Sequence, residues 1–184
     1  MLAAAESFAQ FGFGDTTMEG IAARAGTSIG SVYQFFPNKH AVFREIAGRC
    51  LLEARRSYAS LVGADALQVP WATLLGRVID GFRALHDGSA MMQAMWRNLE
   101  LYGEYAEADQ AMMRELIAAT AVLFGAWVPS MAEPTRRVIA TMVVNTVATT
   151  LLVIAREPDR GRADALVVET KRMLERYLAS YLPG

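Results

Sequence analysis

Apolar residues recur at helical spacing along nearly the whole chain. No stretch alternates apolar and polar residues between hairpin turns, so the pattern predicts an all-α protein of about nine helices. A linker over residues 63–70 separates a long fourth helix from those that follow. Beyond three short N-terminal helices, the predicted helices cover residues 38–61, 71–86, 89–102, 105–127, 134–156 and 162–181.

Three short helices are predicted ahead of Pro37. The glycine-rich stretch FGFG ends the first helix. Thr16 and Glu19 have the spacing of a capping box, which predicts that the second helix begins with Thr16 as its N-cap. Gly26 ends the second helix, and Ser28 can begin a third almost at once.

The second and third helices have the form of a helix-turn-helix. Two short helices joined by a tight turn with glycine fit this motif, in which the first helix supports the second and the second enters the major groove of DNA. Gly30 leaves the exposed face of the third helix without a side chain, so backbone there could approach DNA. The positions predicted to be buried between the helices are Ile21, Ala22, Ala25, Val32 and Phe36.

The run TTMEGIAARAGTSIGSVYQFFPNKHAVF resembles the DNA-binding signature of the TetR family of bacterial transcriptional regulators. The resemblance covers residues 2 to about 50, and beyond them only the helical layout is similar. It implies a helix-turn-helix DNA-binding domain over residues 1–48 and a helical ligand-binding and dimerisation domain over residues 49–184. The matching elements are Phe11-Gly12-Phe13, Ile21-Ala22, Ala25-Gly26, Ser28, Gly30, Val32-Tyr33, Phe36, Lys39 and Phe43.

The resemblance also implies individual roles in DNA binding. Gln34 is the most informative candidate, because a glutamine can bond an adenine edge through both its amide groups. Ile29 departs from the family, which often has a basic or small polar residue there, but an isoleucine can pack on a thymine methyl. The predicted phosphate contacts are Thr17, Thr27, Tyr33 and Lys39. The predicted base-facing positions are Ser28, Ile29, Ser31 and Gln34, and at Gly30 the backbone itself is predicted to approach DNA.

Methionine and aromatic side chains are frequent in the middle helices. Methionine suits surfaces that adapt to varied apolar partners, and ligand pockets are themselves mostly apolar. The resemblance implies an effector pocket here, for a small apolar or aromatic compound. The alternative is an ordinary core, since such stripes often only pack. The predicted lining residues are Phe82, Met95, Trp96, Leu99, Tyr102, Phe124 and Trp127.

The last two helices are predicted to form a homodimer interface. Residues 138–155 carry no charge and approach the length of a membrane span, but five threonine or asparagine residues and flanking prolines favour a buried interface helix. Two such helices from each chain would form a four-helix bundle, as in the family; the alternative is an intramolecular core. The predicted interface residues are Val143, Val147, Leu151, Leu166, Thr170, Met173 and Tyr177.

Charge and cysteine content agree with a cytoplasmic protein that contacts DNA over a small surface. The net charge is −1, and residues 1–62 hold six Lys or Arg against five Asp or Glu, which argues against coating nucleic acid through bulk charge. The single cysteine, Cys50, excludes an internal disulfide. The N-terminus lacks the basic start and long apolar run of a secretory signal.

Together these features predict a ligand-responsive regulator, usually a repressor in this family. It would bind palindromic operator DNA as a homodimer, and an effector would release the DNA by shifting the long helix over residues 38–61. An enzyme is not expected, because the two histidines His40 and His86 form no metal-ligand spacing and no catalytic motif is present. No metal or cofactor is expected either. The alternative is a dimeric small-molecule carrier or interaction protein with a vestigial DNA-binding module.

Overall fold

The computed structural model describes residues 1–183, which form nine α-helices, one 3-10 helix and no strand. The short helices are α1 (Leu2–Asp15), α2 (Met18–Arg24) and α3 (Ile29–Phe35). They are followed by α4 (Lys39–Val62), α5 (Trp71–Gly88), α6 (Ala90–Arg97), the 3-10 helix (Leu99–Glu104), α7 (Ala106–Trp127), α8 (Glu133–Arg156) and α9 (Arg160–Leu178). The all-α prediction is therefore confirmed.

Side-chain caps begin α2, α3 and α4. The Oγ atom of Ser28 accepts the Ser31 N–H at 3.1 Å to begin α3, and Oδ1 of Asn38 accepts the Ala41 N–H at 2.9 Å to begin α4. The cap predicted for α2 is wrong by one residue. Thr17, not Thr16, is the N-cap, and its Oγ1 accepts the Gly20 N–H at 3.0 Å.

The helix predicted over residues 89–102 is divided at Asn98. The Asn98 side chain is buried, and its Nδ2 donates to the Ala94 carbonyl oxygen at 2.6 Å and to the Phe8 carbonyl oxygen at 3.3 Å. An asparagine side chain that bonds the backbone competes with the helical hydrogen-bond ladder. The chain therefore leaves the α-helix at Asn98, where φ is −113° and ψ is 54°, and continues as the 3-10 helix.

The chain divides into two compact units that do not follow the order of the sequence. The first unit contains Met1–Ala54 and Leu85–Asp109, and the second contains Arg55–Ala84 and the residues from Gln110 onward. The helix-turn-helix thus shares a unit with α6 and the 3-10 helix, while α8 and α9 lie in the second unit. The predicted boundary between residues 48 and 49 stays a prediction.

Each unit has its own apolar core. In the first unit the rings of Phe8, Phe13 and Phe43 pack against one another with centroids 5.6 to 5.9 Å apart. In the second unit α8 packs on α9, and the inward face of α8 is apolar throughout. The buried residues of these two helices include Ile139, Ala140, Val143, Val147, Leu151, Ile154, Val167, Leu174 and Leu178. The first core supports the helix-turn-helix, and the second supports α8 and α9; the exposed faces of these helices are described next.

Candidate DNA-binding interface

The turn between α2 and α3 requires a glycine. Gly26 has a φ of +64°, a conformation that residues with a side chain rarely adopt. The Thr27 N–H donates to the Ala22 carbonyl oxygen at 3.0 Å and closes the turn. Of the positions predicted to be buried, Ile21, Ala22 and Val32 are buried and Phe36 is half-buried, but Ala25 is exposed. Ala25 is the C-cap of α2 and directly follows its last residue, Arg24.

Most of the predicted base-facing residues lie on the outer side of α3. Gly30 and Gln34 are exposed, while Ile29 and Ser31 are half-buried. The Oγ atoms of Ser28 and Ser31 lie 2.9 Å apart, so these two hydroxyls bond each other in the free protein. Among the predicted base contacts within α3, Gln34 is therefore the one with an exposed polar side chain.

The predicted phosphate contacts lie at the start of α2, on α3 and in the chain on either side of α3. Thr17, Thr27 and Tyr33 are all exposed. The hydroxyl of Thr17 already caps α2, which leaves its O–H free to donate. Lys39 also bonds α4 to the end of α1, because its Nζ donates to the carbonyl oxygens of Phe13 at 2.5 Å and Gly14 at 3.1 Å.

Phe35 is an exposed aromatic residue that the sequence interpretation did not select. Its side chain is 76% exposed on the last turn of α3, beside Gln34. The apolar stripe of α3 runs through Ile29, Val32 and Phe36, and Phe35 falls outside it. An apolar residue outside the stripe indicates an exposed aromatic side chain, so the spacing alone could have identified Phe35.

A second group of charged side chains connects α4 with the 3-10 helix. The Glu104 carboxylate accepts from Arg44 at 2.8 Å and lies 3.0 Å from Nδ1 of His40. The hydrogen bond from Arg44, assisted by that from His40, holds the pKa of Glu104 below its ordinary value. Both partners of Glu104 lie in the first two turns of α4, directly after α3.

The seven residues predicted to line an effector pocket are divided between the two units. Met95, Trp96, Leu99 and Tyr102 belong to the first unit, and the other three, Phe82, Phe124 and Trp127, belong to the second. In the first unit, Trp96 stacks on His86 with ring centroids 4.6 Å apart. In the second, Trp127 also borders an open depression of about 440 Å³ formed by residues 127–130 and 179–183. Their role in ligand binding stays a prediction.

The predicted dimer residues on α8 face the interior of their own unit. Val143, Val147 and Leu151 are buried there, which leaves them little surface for a partner chain. On α9, Thr170 is also buried, Leu166 and Tyr177 are half-buried, and Met173 is exposed. The exposed face of α8 is instead formed by Val138, Met142, Asn145, Thr149 and Val153.

Helix α8 is long and apolar enough to cross a membrane by length and composition alone. Its mean hydropathy reaches 2.1, and 28% of that apolar window is buried within the chain. A single helix of this kind is weak evidence for a membrane protein, because core and interface helices of soluble proteins have the same composition.

The described residues include no group of His, Cys, Asp and Glu side chains arranged to hold a metal ion. The one cysteine, Cys50, is buried. Burial raises the pKa of its thiol to about 12, so the thiol is protonated at neutral pH and is a poor nucleophile.

Two family profiles match most of the chain. The profile described as bacterial regulatory proteins, tetR family, matches residues 1–46, and one described as tetracyclin repressor-like, C-terminal domain, matches residues 70–178. An uncharacterized HTH-type transcriptional regulator of Bacillus subtilis (strain 168), YhgD, is 43% identical over 54 residues. That match spans 29% of this chain and 28% of YhgD.

Solved structures share the fold over nearly the whole chain. A TetR-family transcriptional regulator from Pectobacterium atrosepticum is 16% identical with a TM-score of 0.74, covering 99% of this chain and 91% of that one. SmeT, the repressor of the Stenotrophomonas maltophilia multidrug efflux pump SmeDEF, is 26% identical with a TM-score of 0.69, covering 99% and 88%. The chain therefore belongs to the TetR family of bacterial regulatory proteins, which are DNA-binding transcriptional regulators of the helix-turn-helix type.

Proposed function

We propose that this protein is a cytoplasmic repressor that binds a palindromic operator as a homodimer and releases it when a small apolar or aromatic effector binds. The observation that carries the proposal is the helix-turn-helix of α2 and α3, whose outer face presents Gly30, Gln34 and Tyr33 to solvent. These residues provide close backbone approach, a bidentate amide and a phenolic hydroxyl, which are the groups a major-groove reader uses.

The division of labour on α3 follows from side-chain chemistry. Gln34 donates to and accepts from one adenine edge, while Tyr33, Thr17, Thr27 and Lys39 bond phosphates around it. Phe35 adds an apolar group that can contact a thymine methyl. The exposed part of the half-buried Ile29 side chain can do the same. The serines Ser28 and Ser31 form the polar border of this surface. Their mutual hydrogen bond would be exchanged for bonds to DNA.

A homodimer would be held by the outward face of α8. Val138, Met142 and Val153 are at least half exposed, and with Asn145 and Thr149 they repeat at intervals of three and four residues on one side of the helix. A stripe this apolar favours a partner surface over water. A two-fold pair would present two α3 helices to successive major grooves, which accounts for a palindromic target.

The effector class is inferred from composition and from one relative. The seven residues predicted to line the pocket are aromatic side chains, one leucine and one methionine, a set that suits an apolar or aromatic compound. SmeT has also been solved as a complex with triclosan. Release of DNA requires that the effector bind the two conformations of the regulator unequally.

The proposal is tested by selecting bound sequences from a random pool of duplex DNA at physiological salt. Recovery of a palindromic motif supports an operator-binding dimer. Gln34→Ala should then lower affinity about tenfold and relax the preference at one position of each half-site, because a bidentate base contact contributes about 1–3 kcal/mol of discrimination. Gln110→Ala, at an exposed position on α7, is the matched control and should bind as the wild type does.

A carrier or interaction protein with a vestigial DNA-binding module would behave differently. Such a protein would recover no motif, and replacement of Tyr33 or Gln34 would leave all its binding activities unchanged. That outcome overturns the proposal.

A further inference from the structure

Asn98 is a buried amide that joins the end of α6 to a break in α1. It is 1% exposed, and its side chain makes three hydrogen bonds. Its Oδ1 accepts the Phe13 N–H at 2.6 Å, and its Nδ2 donates to the carbonyl oxygens of Phe8 and Ala94. The Asn98 amide thus bonds backbone on both sides of Gly12, where α1 is interrupted at a φ of +81°.

The break at Gly12 determines how the chain enters the helix-turn-helix. Immediately after it, the Phe13 and Gly14 carbonyl oxygens accept from Lys39, and the chain then turns into the Thr17 cap of α2. A side chain that holds the break in one geometry therefore also holds the start of α2.

The chain that follows α3 is bonded to the 3-10 helix, close in sequence to Asn98. Glu104, six residues after Asn98, accepts from Arg44 and lies within hydrogen-bond distance of His40 at the start of α4. Residues 90–104, which we call the bracing segment, thus bond the chain just before α2 through Asn98 and just after α3 through Glu104. All of these contacts lie inside the first compact unit.

We propose that Asn98 is a positioning residue for DNA recognition, which holds α2 and α3 in the orientation that binds the operator. The inference rests on the proposed DNA-binding function and extends it to regulation. The bracing segment also carries Met95, Trp96, Leu99 and Tyr102, four of the predicted effector contacts. An effector that displaces this segment acts on α2 through the Asn98 amide.

The test compares Asn98→Ala with Thr120→Ala. Thr120 is also buried and polar, bonded to Tyr58 at 3.0 Å and to the Leu116 carbonyl oxygen at 2.8 Å, but it belongs to the second unit. Amide hydrogen exchange and affinity for the selected palindrome are measured at a temperature where circular dichroism shows both variants folded. Asn98→Ala should accelerate exchange throughout residues 12–36 and lower operator affinity at least tenfold. Thr120→Ala should match the wild type in both measurements, although it too lowers thermal stability.

The proposal is overturned if Asn98→Ala accelerates exchange only around Phe13 while operator affinity stays within twofold of the wild type. If the wild type itself binds no DNA, the proposed function fails. The exchange data still decide the positioning role, since unchanged protection of α2 and α3 in Asn98→Ala refutes it. Should Asn98→Ala not fold, Glu104→Ala removes the second anchor of the bracing segment, its bonds to Arg44 and His40, at a more exposed position. It should shift exchange and affinity in the same direction, and an unchanged result overturns the proposal.

Discussion

The buried hydroxyl of Thr16 donates to the carbonyl oxygen of Gly12 at 2.7 Å and closes the turn that follows the break in α1. At Gly12 itself φ is +81° and ψ is 171°, a region that only glycine occupies without strain. Gly14, two residues later, lies at negative φ, and a Cβ added there meets no atom within 4 Å. The backbone conformation therefore requires glycine at position 12 but not at position 14.

We expect Gly12→Ala to lower the free energy of unfolding by about 1–3 kcal/mol, the usual cost of a strained backbone conformation. A Cβ at Gly12 would lie 3.7 Å from Oδ1 of Asn98, an ordinary contact, so the cost comes from φ and not from a clash. Gly14→Ala should be neutral or stabilising by about 0.5–1 kcal/mol, because alanine favours the helix. Urea unfolding of both variants checks this. Equal effects would mean that the left-handed conformation is not required.

Lys39→Met should weaken operator binding and reduce its dependence on salt. The Lys39 ammonium uses two of its three N–H donors on the α1 carbonyls, and the third is available to a phosphate. Each lost phosphate contact should lower the slope of log affinity against log salt by about 0.9. Lys171→Met, on α9, is the charge-matched control. A weakened complex with an unchanged slope would restrict Lys39 to the junction of α1 and α4.

Acidification should weaken the junction between Glu104 and the start of α4. The hydrogen bonds from Arg44 and His40 hold the folded-state pKa of Glu104 below the ordinary value of 4.5. The stabilisation is therefore fully present above the pKa of the unfolded state and is lost as the pH falls through the lower pKa of the folded state.

Urea unfolding from about pH 6 to about pH 3 tests this assignment. The wild type should lose more stability than Glu104→Gln over this range, since the variant has no carboxylate to protonate. Glu107→Gln, at an exposed position on α7, should follow the wild type. Identical acid dependence of Glu104→Gln and the wild type would contradict the assignment.

Met142→Glu should convert the proposed dimer into a monomer. Met142 is 53% exposed on the outward face of α8, where burial against a second chain would place the two charges in an apolar interface. Leu67→Glu is the control, since Leu67 is 56% exposed in the loop between α4 and α5. Light scattering coupled to gel filtration gives the mass. A dimer that survives Met142→Glu would place the interface elsewhere.

Local chemistry made the helix boundaries predictable. The caps at Ser28 and Asn38 depend on side chains bonding backbone three residues away, so the sequence is sufficient to locate them. The cap of α2 was misplaced because two adjacent threonines compete for it. The Thr16 hydroxyl points to the Gly12 carbonyl oxygen and so does not cap α2, which the sequence motif alone does not reveal.

Other structural features depend on tertiary contacts, which the spacing of apolar residues does not show. The break at Asn98 depends on the carbonyl oxygen of Phe8, ninety residues earlier in the chain. On α8 the residues on both sides of the helix are apolar, so spacing could not show that Val143 faces inward and Met142 outward. Phe35 was overlooked for a related reason, because an apolar residue beside a core stripe reads as part of the core.

The division of the first compact unit between two parts of the sequence has a consequence for synthesis. The ribosome makes Met1–Ala54 before Leu85–Asp109 exists, and domains fold as their parts emerge. Until Asn98 has left the exit tunnel, the Phe13 N–H cannot donate to Oδ1 of Asn98, and the break in α1 is unbraced. If Asn98 positions the helix-turn-helix as proposed, a nascent chain carries the predicted DNA-contacting residues before they are braced, and we expect operator binding only after translation has passed the bracing segment.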